Sequence, residues 1–444
     1  MYNQLKWPLS PVQQGMFFHY LYDRNRNYLE QMICDIAGDF DVRLFEETLN
    51  NLIDQYDSLR TLFLYDKAEG MRQLVLAGKK VMLDYRDIAH LPAPYAYIEE
   101  QIVLEADHHF NLEKQTCRSI LFRTGINKYV FLCTYHHLIM DSWTIRLLME
   151  RFCHTYLQLY AGLTVNTTER YSYKLYLDWI ERQNIGKAQQ YWKDYLEQYT
   201  ANMEGNPVGI YDVKRRQTVK VKFGREVREM LDAAAAYCKT TVNTLVLAVW
   251  GIYIMDFLQT ERSLIGCVTL GRIIPLKNVD KIAGLFVNSI PLYLDANRSL
   301  SGFVQQVQQD LFRAAPYSYM LLSDIMSSVN LRPTDISCFV NFSIDTEELD
   351  SSLALKLPFS VSNIRYNEQA NYEVYLDIYL GADSLDINIY FDELKYRFVS
   401  SDISEKITDI LKGILKHPDK QVRTLLNDHG VSDEVLGDEL NFSF

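Results

Sequence analysis

The stretch that most constrains this chain is Tyr129–Tyr160, YVFLCTYHHLIMDSWTIRLLMERFCHTYLQLY. Its first seven residues carry no charge, which predicts a strand covered on both faces in the interior of a sheet. Side chains alternate along a strand, so His136 and His137 are expected on opposite sides, one facing a cavity and the other packed behind it. Asp141 and Ser142 stand where a helix N-cap belongs, and Ile145, Leu148, Met149 and Phe152 follow at helical spacing. A histidine that closes a buried strand, shortly before a carboxylate that opens a helix, suits one positioned base. The same divergence of neighbouring strand side chains argues against a metal shared by His136, His137 and Asp141.

Composition narrows the class. The chain has 444 residues, comfortable for two domains, and is 48% hydrophobic and 13% aromatic, which supports sizeable cores and argues against disorder. Its net charge is −12, and the one basic run, Lys214–Arg216, reads as a solvated loop, so no nucleic-acid partner is expected. The seven cysteines are odd in number and never form a CxxC, as in reduced core residues of a cytoplasmic protein. The N-terminus has no apolar signal core. The longest uncharged run, Thr240–Met255, is shorter than the roughly 18 residues of a membrane span, so it reads as a buried helix and no membrane is expected.

Taken in order, Ser10-Pro11-Val12-Gln13 reads as a helix start with a capping box. Tyr28–Ile36 alternates as a strand. Asp41 then caps a helix whose apolar stripe runs from Leu44 to Tyr56. It ends in DSLRTLF (Asp57–Phe63), which carries Arg60 into a buried strand. A buried guanidinium calls for a carboxylate, and Asp141 is the expected partner. A second pair, His108-His109, has no following aspartate and reads as structural or surface residues. Residues 201–217 (ANMEGNPVGIYDVKRRQ) have Gly, Pro, Asn and charge without periodicity and form the best linker. Beyond it the pattern gives a strand at Thr218–Phe223, helices at Glu226–Cys238 and Thr241–Phe257, and a strand at Leu264–Leu270. Paired strands follow at Tyr372–Leu380 and Leu385–Phe391, then a closing helix at Ser401–Leu415.

HHLIMDSW (His136–Trp143) resembles the HHxxxDG core of the condensation domains of nonribosomal peptide synthetases, which belong with chloramphenicol acetyltransferase-like acyltransferases. Other stretches agree in the family's order. LSPVQQGMFFHYLYD is similar to its opening signature, DSLRTLF to its second motif, YSYKLYLDWIERQ and the following YW to its fourth, and GLFVNSIPLYLD after Gly271-Arg272 to its fifth. The similarity covers about residues 7 to 420. It implies a mixed α/β fold of two chloramphenicol acetyltransferase-like lobes in a V shape around a central tunnel. The lobes are expected over residues 1–185 and 218–425, joined by 186–217, with 426–444 as a tail or linker to a following domain.

The resemblance also implies the chemistry. The amine of an acceptor aminoacyl thioester attacks the thioester of a donor, and each rides on the 4'-phosphopantetheine arm of a carrier domain. No cofactor is bound by the domain itself. The partners are an upstream donor carrier and a downstream acceptor carrier in a longer multidomain chain. His137 is the expected proton acceptor, His136 a structural support, and Asp141 a lock on the loop through Arg60. Trp143 and Asn288 are expected beside the substrates. Ser142 replaces the family glycine and adds a side chain beside the substrate path, or serves as an N-cap. The opening stretch resembles the subtype that receives a donor ending in a D-residue. Two other readings stay open: an inactive platform that binds carriers or a tailoring enzyme, which Ser142 favours, and an acyltransferase acting on a free alcohol or amine.

Overall fold

Two large sheets, each threaded by strands distant in sequence, organise the chain. The computed structural model describes residues 5–22, 28–81, 83–165, 170–200, 216–343, 356–367 and 372–426. The strands of the first half are β1 (Leu5–Pro8), β2 (Leu29–Gly38), β3 (Thr61–Asp66), β4 (Gly70–Val75), β5 (Asp84–Asp87), β6 (Cys117–Gly125) and β7 (Lys128–His136). Those of the second half are β8 (Arg216–Phe223), β9 (Arg262–Thr269), β10 (Asn288–Asp295), β11 (Phe339–Ser343), β12 (Phe359–Asn367), β13 (Val374–Leu380) and β14 (Leu385–Asp392). They form a three-stranded sheet β1-β4-β3, a five-stranded sheet β12-β2-β7-β6-β5 and a six-stranded sheet β10-β9-β11-β13-β14-β8.

The uncharged strand lies where its composition places it. β7 sits between β2 and β6, antiparallel to both, and every residue from Tyr129 to His136 except Cys133 is buried. The helix Val42–Gln55 is capped by Asp41, whose carboxylate accepts from the Arg43 and Leu44 amides, and it packs with the helix Ser142–Tyr160. The apolar run of the second half becomes the helix Val242–Phe257, in which every residue from Thr244 to Met255 is buried. It is the middle of the largest core, with β9, β10 and β13, the helix Leu300–Ala314 and the closing helix Ser400–Lys416 around it. No single helix among the described residues is long and apolar enough to cross a membrane.

Two features correct the expected division at 185 and 218. β12, from the second half of the chain, pairs antiparallel with β2 and completes the edge of the first-half sheet, from Phe359↔Gly38 to Asn367↔Gln31. Conversely, the helices Lys174–Glu181 and Ile185–Thr200 bury Tyr176, Leu177, Trp179, Trp192 and Leu196 in the second-half core. Their amphipathic stripes identify helices but not the core that they cover. The expected linker at 201–217, apart from its last residues, and the tail beyond 426 fall outside the described residues.

Candidate active site

The main chain leaves β7 at the second histidine. His136 still donates from its amide to the Thr116 carbonyl at 3.0 Å, while the amide of His137 donates to the Tyr28 carbonyl at 2.8 Å and begins a single 3-10 turn, His137–Ile139. Tyr28 holds a left-handed φ of 69°, a costly conformation for a side chain with a Cβ, and it sits directly before β2. The turn is also held from the N-terminal helix Pro11–Tyr22. Gln13 donates from Nε2 to the Leu138 carbonyl at 3.0 Å, and its Oε1 accepts from the Ser10 amide at 3.0 Å. With Ser10 Oγ accepting from the Gln13 amide at 3.2 Å, the capping box is complete and braces the histidine turn as well.

The two imidazoles differ sharply. His136 is buried, its Nδ1 accepts from the Leu138 amide at 3.2 Å, and its Nε2 finds no hydrogen-bond partner among the described residues. Burial, with a smaller push from His137, lowers its pKa to about 3, so the ring is neutral. His137 is half-buried, with Nδ1 2.6 Å from the Met140 carbonyl. A carbonyl only accepts, so in the neutral ring Nδ1 carries the hydrogen and Nε2 presents a lone pair. Facing that lone pair at 3.5 Å is Oε1 of Glu30, a buried carboxyl on β2. Burial raises the Glu30 carboxyl above its ordinary range, while the neighbouring His137 and a hydrogen bond with the Tyr135 hydroxyl act in the opposite direction.

Asp141 is completely buried and joins the histidine turn to the second half of the chain. Its Oδ1 accepts from the Thr144 amide at 2.8 Å as the helix N-cap, and from Arg272 at 3.3 Å; its Oδ2 accepts from the Phe286 amide at 2.9 Å. Arg272 also donates to the carbonyls of Val279 (2.7 Å) and Ile282 (2.8 Å) and lies 3.9 Å over the Phe286 ring. Thr144 Oγ1 donates to the Gly284 carbonyl and accepts from its amide. Gly271, immediately before the arginine, has φ +64°, and a Cβ there would meet the Phe286 carbonyl oxygen at 1.9 Å. Glycine is therefore required for the turn that aims Arg272.

The expected Arg60–Asp141 pair is thus corrected. Arg60 lies on the 3-10 turn Asp57–Arg60, where it pairs with Asp57 three residues back and donates to the Leu76 carbonyl at 2.7 Å. A carboxylate one turn away pairs with Arg60, and Arg272 takes Asp141. Ser142 is the first helical residue and not the cap, and its backbone is not left-handed, so the position imposes no need for glycine dihedrals. Trp143 donates its indole N–H to the Asp280 carbonyl at 3.0 Å, a tie between the halves of the chain. Asn288, expected to line a substrate channel, is a core residue instead. Its Nδ2 donates to the carbonyls of Ser318 (2.7 Å) and Met320 (2.5 Å), and its Oδ1 accepts from the Ser289 amide. His108 and His109 are exposed on the surface. Sequence reasoning missed Glu30, one of two acidic residues in the mostly apolar strand β2, and Arg272, whose role the GR turn does not reveal.

The mixed α/β frame is the fold of known condensation domains. The starter condensation domain of rhizomide synthetase RzmA aligns with a TM-score of 0.75 at 16% identity, covering 95% of this chain and 98% of that one. The first condensation domain of the calcium-dependent antibiotic synthetase aligns with a TM-score of 0.72 at 15% identity, over 94% and 99% of the two chains. In sequence, the chain is 29% identical over 399 residues to tyrocidine synthase 3 of Brevibacillus parabrevis, which covers 88% of this chain and 6% of the synthase. It is 26% identical to bacitracin synthase 3 of Bacillus licheniformis, over 99% of this chain and 7% of that protein. The chain therefore spans less than a tenth of the length of these relatives. The family model for the condensation domain matches residues 3–433, and the chain belongs to that family, the amide-forming acyltransferases of nonribosomal peptide synthetases.

Proposed function

We propose that this domain joins a donor to an acceptor aminoacyl or peptidyl thioester, each delivered on the 4'-phosphopantetheine arm of a separate carrier domain, with His137 as the proton acceptor. The observation that carries this reading is the tautomer imposed by the Met140 carbonyl, which leaves His137 Nε2 as a free base. The thioester is already activated, so the domain's main work is to align two tethered groups and exclude water in a tunnel between two lobes. His136 and Asp141 support the turn, and Ser142 and Trp143 lie beside the path of the substrates. An upstream donor carrier and a downstream acceptor carrier belong to the same longer assembly. The opening stretch favours a donor ending in a D-residue and an L-acceptor.

The test is a condensation assay with donor carriers loaded with D- or L-aminoacyl groups and acceptor carriers loaded with L-aminoacyl groups, read by intact-protein mass spectrometry. Peptide should accumulate on the acceptor carrier with the D-donor, and His137→Ala should slow it by about 10² to 10⁴. Preference for the L-donor would overturn the subtype alone. Ser142 favours one other reading, a silent platform. Product from Ser142→Gly and none from the parent would establish that the serine closes the site.

A further inference from the structure

When Glu30 is ionised, its Oε1 and the Nε2 of His137 face each other as two acceptors. The Met140 carbonyl fixes the hydrogen of His137 on Nδ1, so Nε2 offers a lone pair, and Glu30 Oε1 faces it at 3.5 Å. That separation is beyond a well-made hydrogen bond, and an ionised carboxylate facing a lone pair is repelled. The arrangement is held on both sides. Glu30 stands opposite Tyr135 and next to the Leu29↔His136 pair in the β2–β7 register, while His137 is tied through its amide to Tyr28 and through its ring to Met140. Among the described residues His137 is the one basic partner of Glu30. The other charges that act on Glu30 are acidic: Asp141, latched to Arg272, and Asp377 of β13 in the six-stranded sheet, which accepts from Asn341 at 2.9 Å and Ser343 at 3.2 Å. The Tyr135 hydroxyl also hydrogen-bonds to Glu30. The buried carboxyl thus has a phenol and a neutral imidazole beside it and acidic groups further out, a setting that suits a cation able to donate to Glu30 oxygen and His137 nitrogen together.

We infer that Glu30 binds the α-ammonium group of the acceptor and holds its nitrogen against His137 Nε2. This rests on the amide-forming reading above. An α-amino group has a pKa near 8 and is mostly ammonium at pH 7, with three N–H donors, enough to bridge Glu30 and His137. One proton passes from the nitrogen through Nε2 to solvent. The freed lone pair attacks the donor carbonyl and forms the C–N bond while a remaining N–H stays on Glu30. The C–S bond then breaks, and the second proton leaving nitrogen goes to the departing thiolate sulfur. Glu30 thereby selects a charged amine over a neutral nucleophile of the same shape.

The experiment varies the concentration of a small-molecule acceptor, the glycyl thioester of a short thiol, against a fixed concentration of loaded donor carrier at pH 7. The glycolyl thioester, with a hydroxyl in place of the ammonium, serves as competitor. Glu30→Gln keeps the size and removes the charge. It should raise the acceptor KM by about ten- to a hundredfold, the range of a charge-assisted hydrogen bond, and leave the KM for the loaded donor carrier unchanged. The glycolyl competitor should inhibit parent and variant equally, and Glu30→Asp should recover part of the loss. An unchanged acceptor KM would overturn the inference. So would an equal weakening of the glycolyl competitor, which would mark general damage to the pocket. A parent that condenses no donor–acceptor pair would overturn the functional reading itself, whereas a condensing parent with an indifferent Glu30→Gln variant would sink this inference alone.

Discussion

His136 and His137 are neighbours on one chain with unlike surroundings, and each can be probed by what its surroundings impose. An exposed imidazole has a pKa near 6.5, and His136 in the fold is held at about 3 by burial. Between those values the unfolded chain takes up a proton that the folded chain refuses. Stability that is fully present above pH 6.5 is therefore lost as pH falls, by about 1.4 kcal/mol per pH unit for this one proton. His136→Asn, which keeps an acceptor for the Leu138 amide, should flatten the fall in urea midpoint between pH 7 and pH 5 relative to the parent. An identical pH dependence would show that other groups carry it. Arg272 makes a second test. Arg272→Ala leaves Asp141 buried without its counter-charge, a change that typically costs about 3–5 kcal/mol, read as a lower urea midpoint at pH 7.5. The aspartate was recognisable from sequence and its partner was not, because a carboxylate at a helix start is a local signal. A guanidinium 131 residues away leaves no trace in spacing.

At the scale of elements, the strand, turn and helix around the histidines were legible because each rests on short-range rules: an uncharged run, alternation, a capping carboxylate and helical spacing. The link between the helix Pro11–Tyr22 and the histidine turn was not. Ser10 and Gln13 announce a capping box, but nothing in four residues tells that the same glutamine amide reaches the Leu138 carbonyl. This separates two variants. Ser10→Ala removes the cap and should cost about 1 kcal/mol with the condensation rate within about twofold of the parent. Gln13→Leu should cost a similar amount and also release the turn that carries His137. Its rate should fall by about tenfold or more, since a small misplacement of a reacting group is enough to do so. Equal rates for the two variants would show that the helix does not position the histidine.

For the whole molecule, the crossing of β12 matters most. Its nine residues, FSVSNIRYN, are mostly exposed or half-buried and carry a weak apolar pattern, so the segment escaped the sequence reading. Alternation, where present, names a strand but never its sheet. With β12 on the edge of β2, and with Tyr176, Trp179 and Trp192 covered by the second-half core, neither half holds all of its own interior. A fragment of residues 1–200 would expose the backbone groups of β2 along one edge and leave those aromatic side chains without cover. It should be insoluble or lack near-ultraviolet circular dichroism when expressed alone, and recover on co-expression with residues 201–444. A folded, soluble 1–200 fragment would show that the halves are independent.

The latch at Asp141 bears on how such motifs are read in other chains. Its carboxylate caps a helix and binds an arginine and an amide from the far half of the sequence, and each of those bonds joins protein to protein. The aspartate is therefore a signature of a finished shape. A descendant that had abandoned turnover but still needed its architecture would be under the same pressure to keep it, so the letter D in the motif vouches for the building and not for the trade carried on inside.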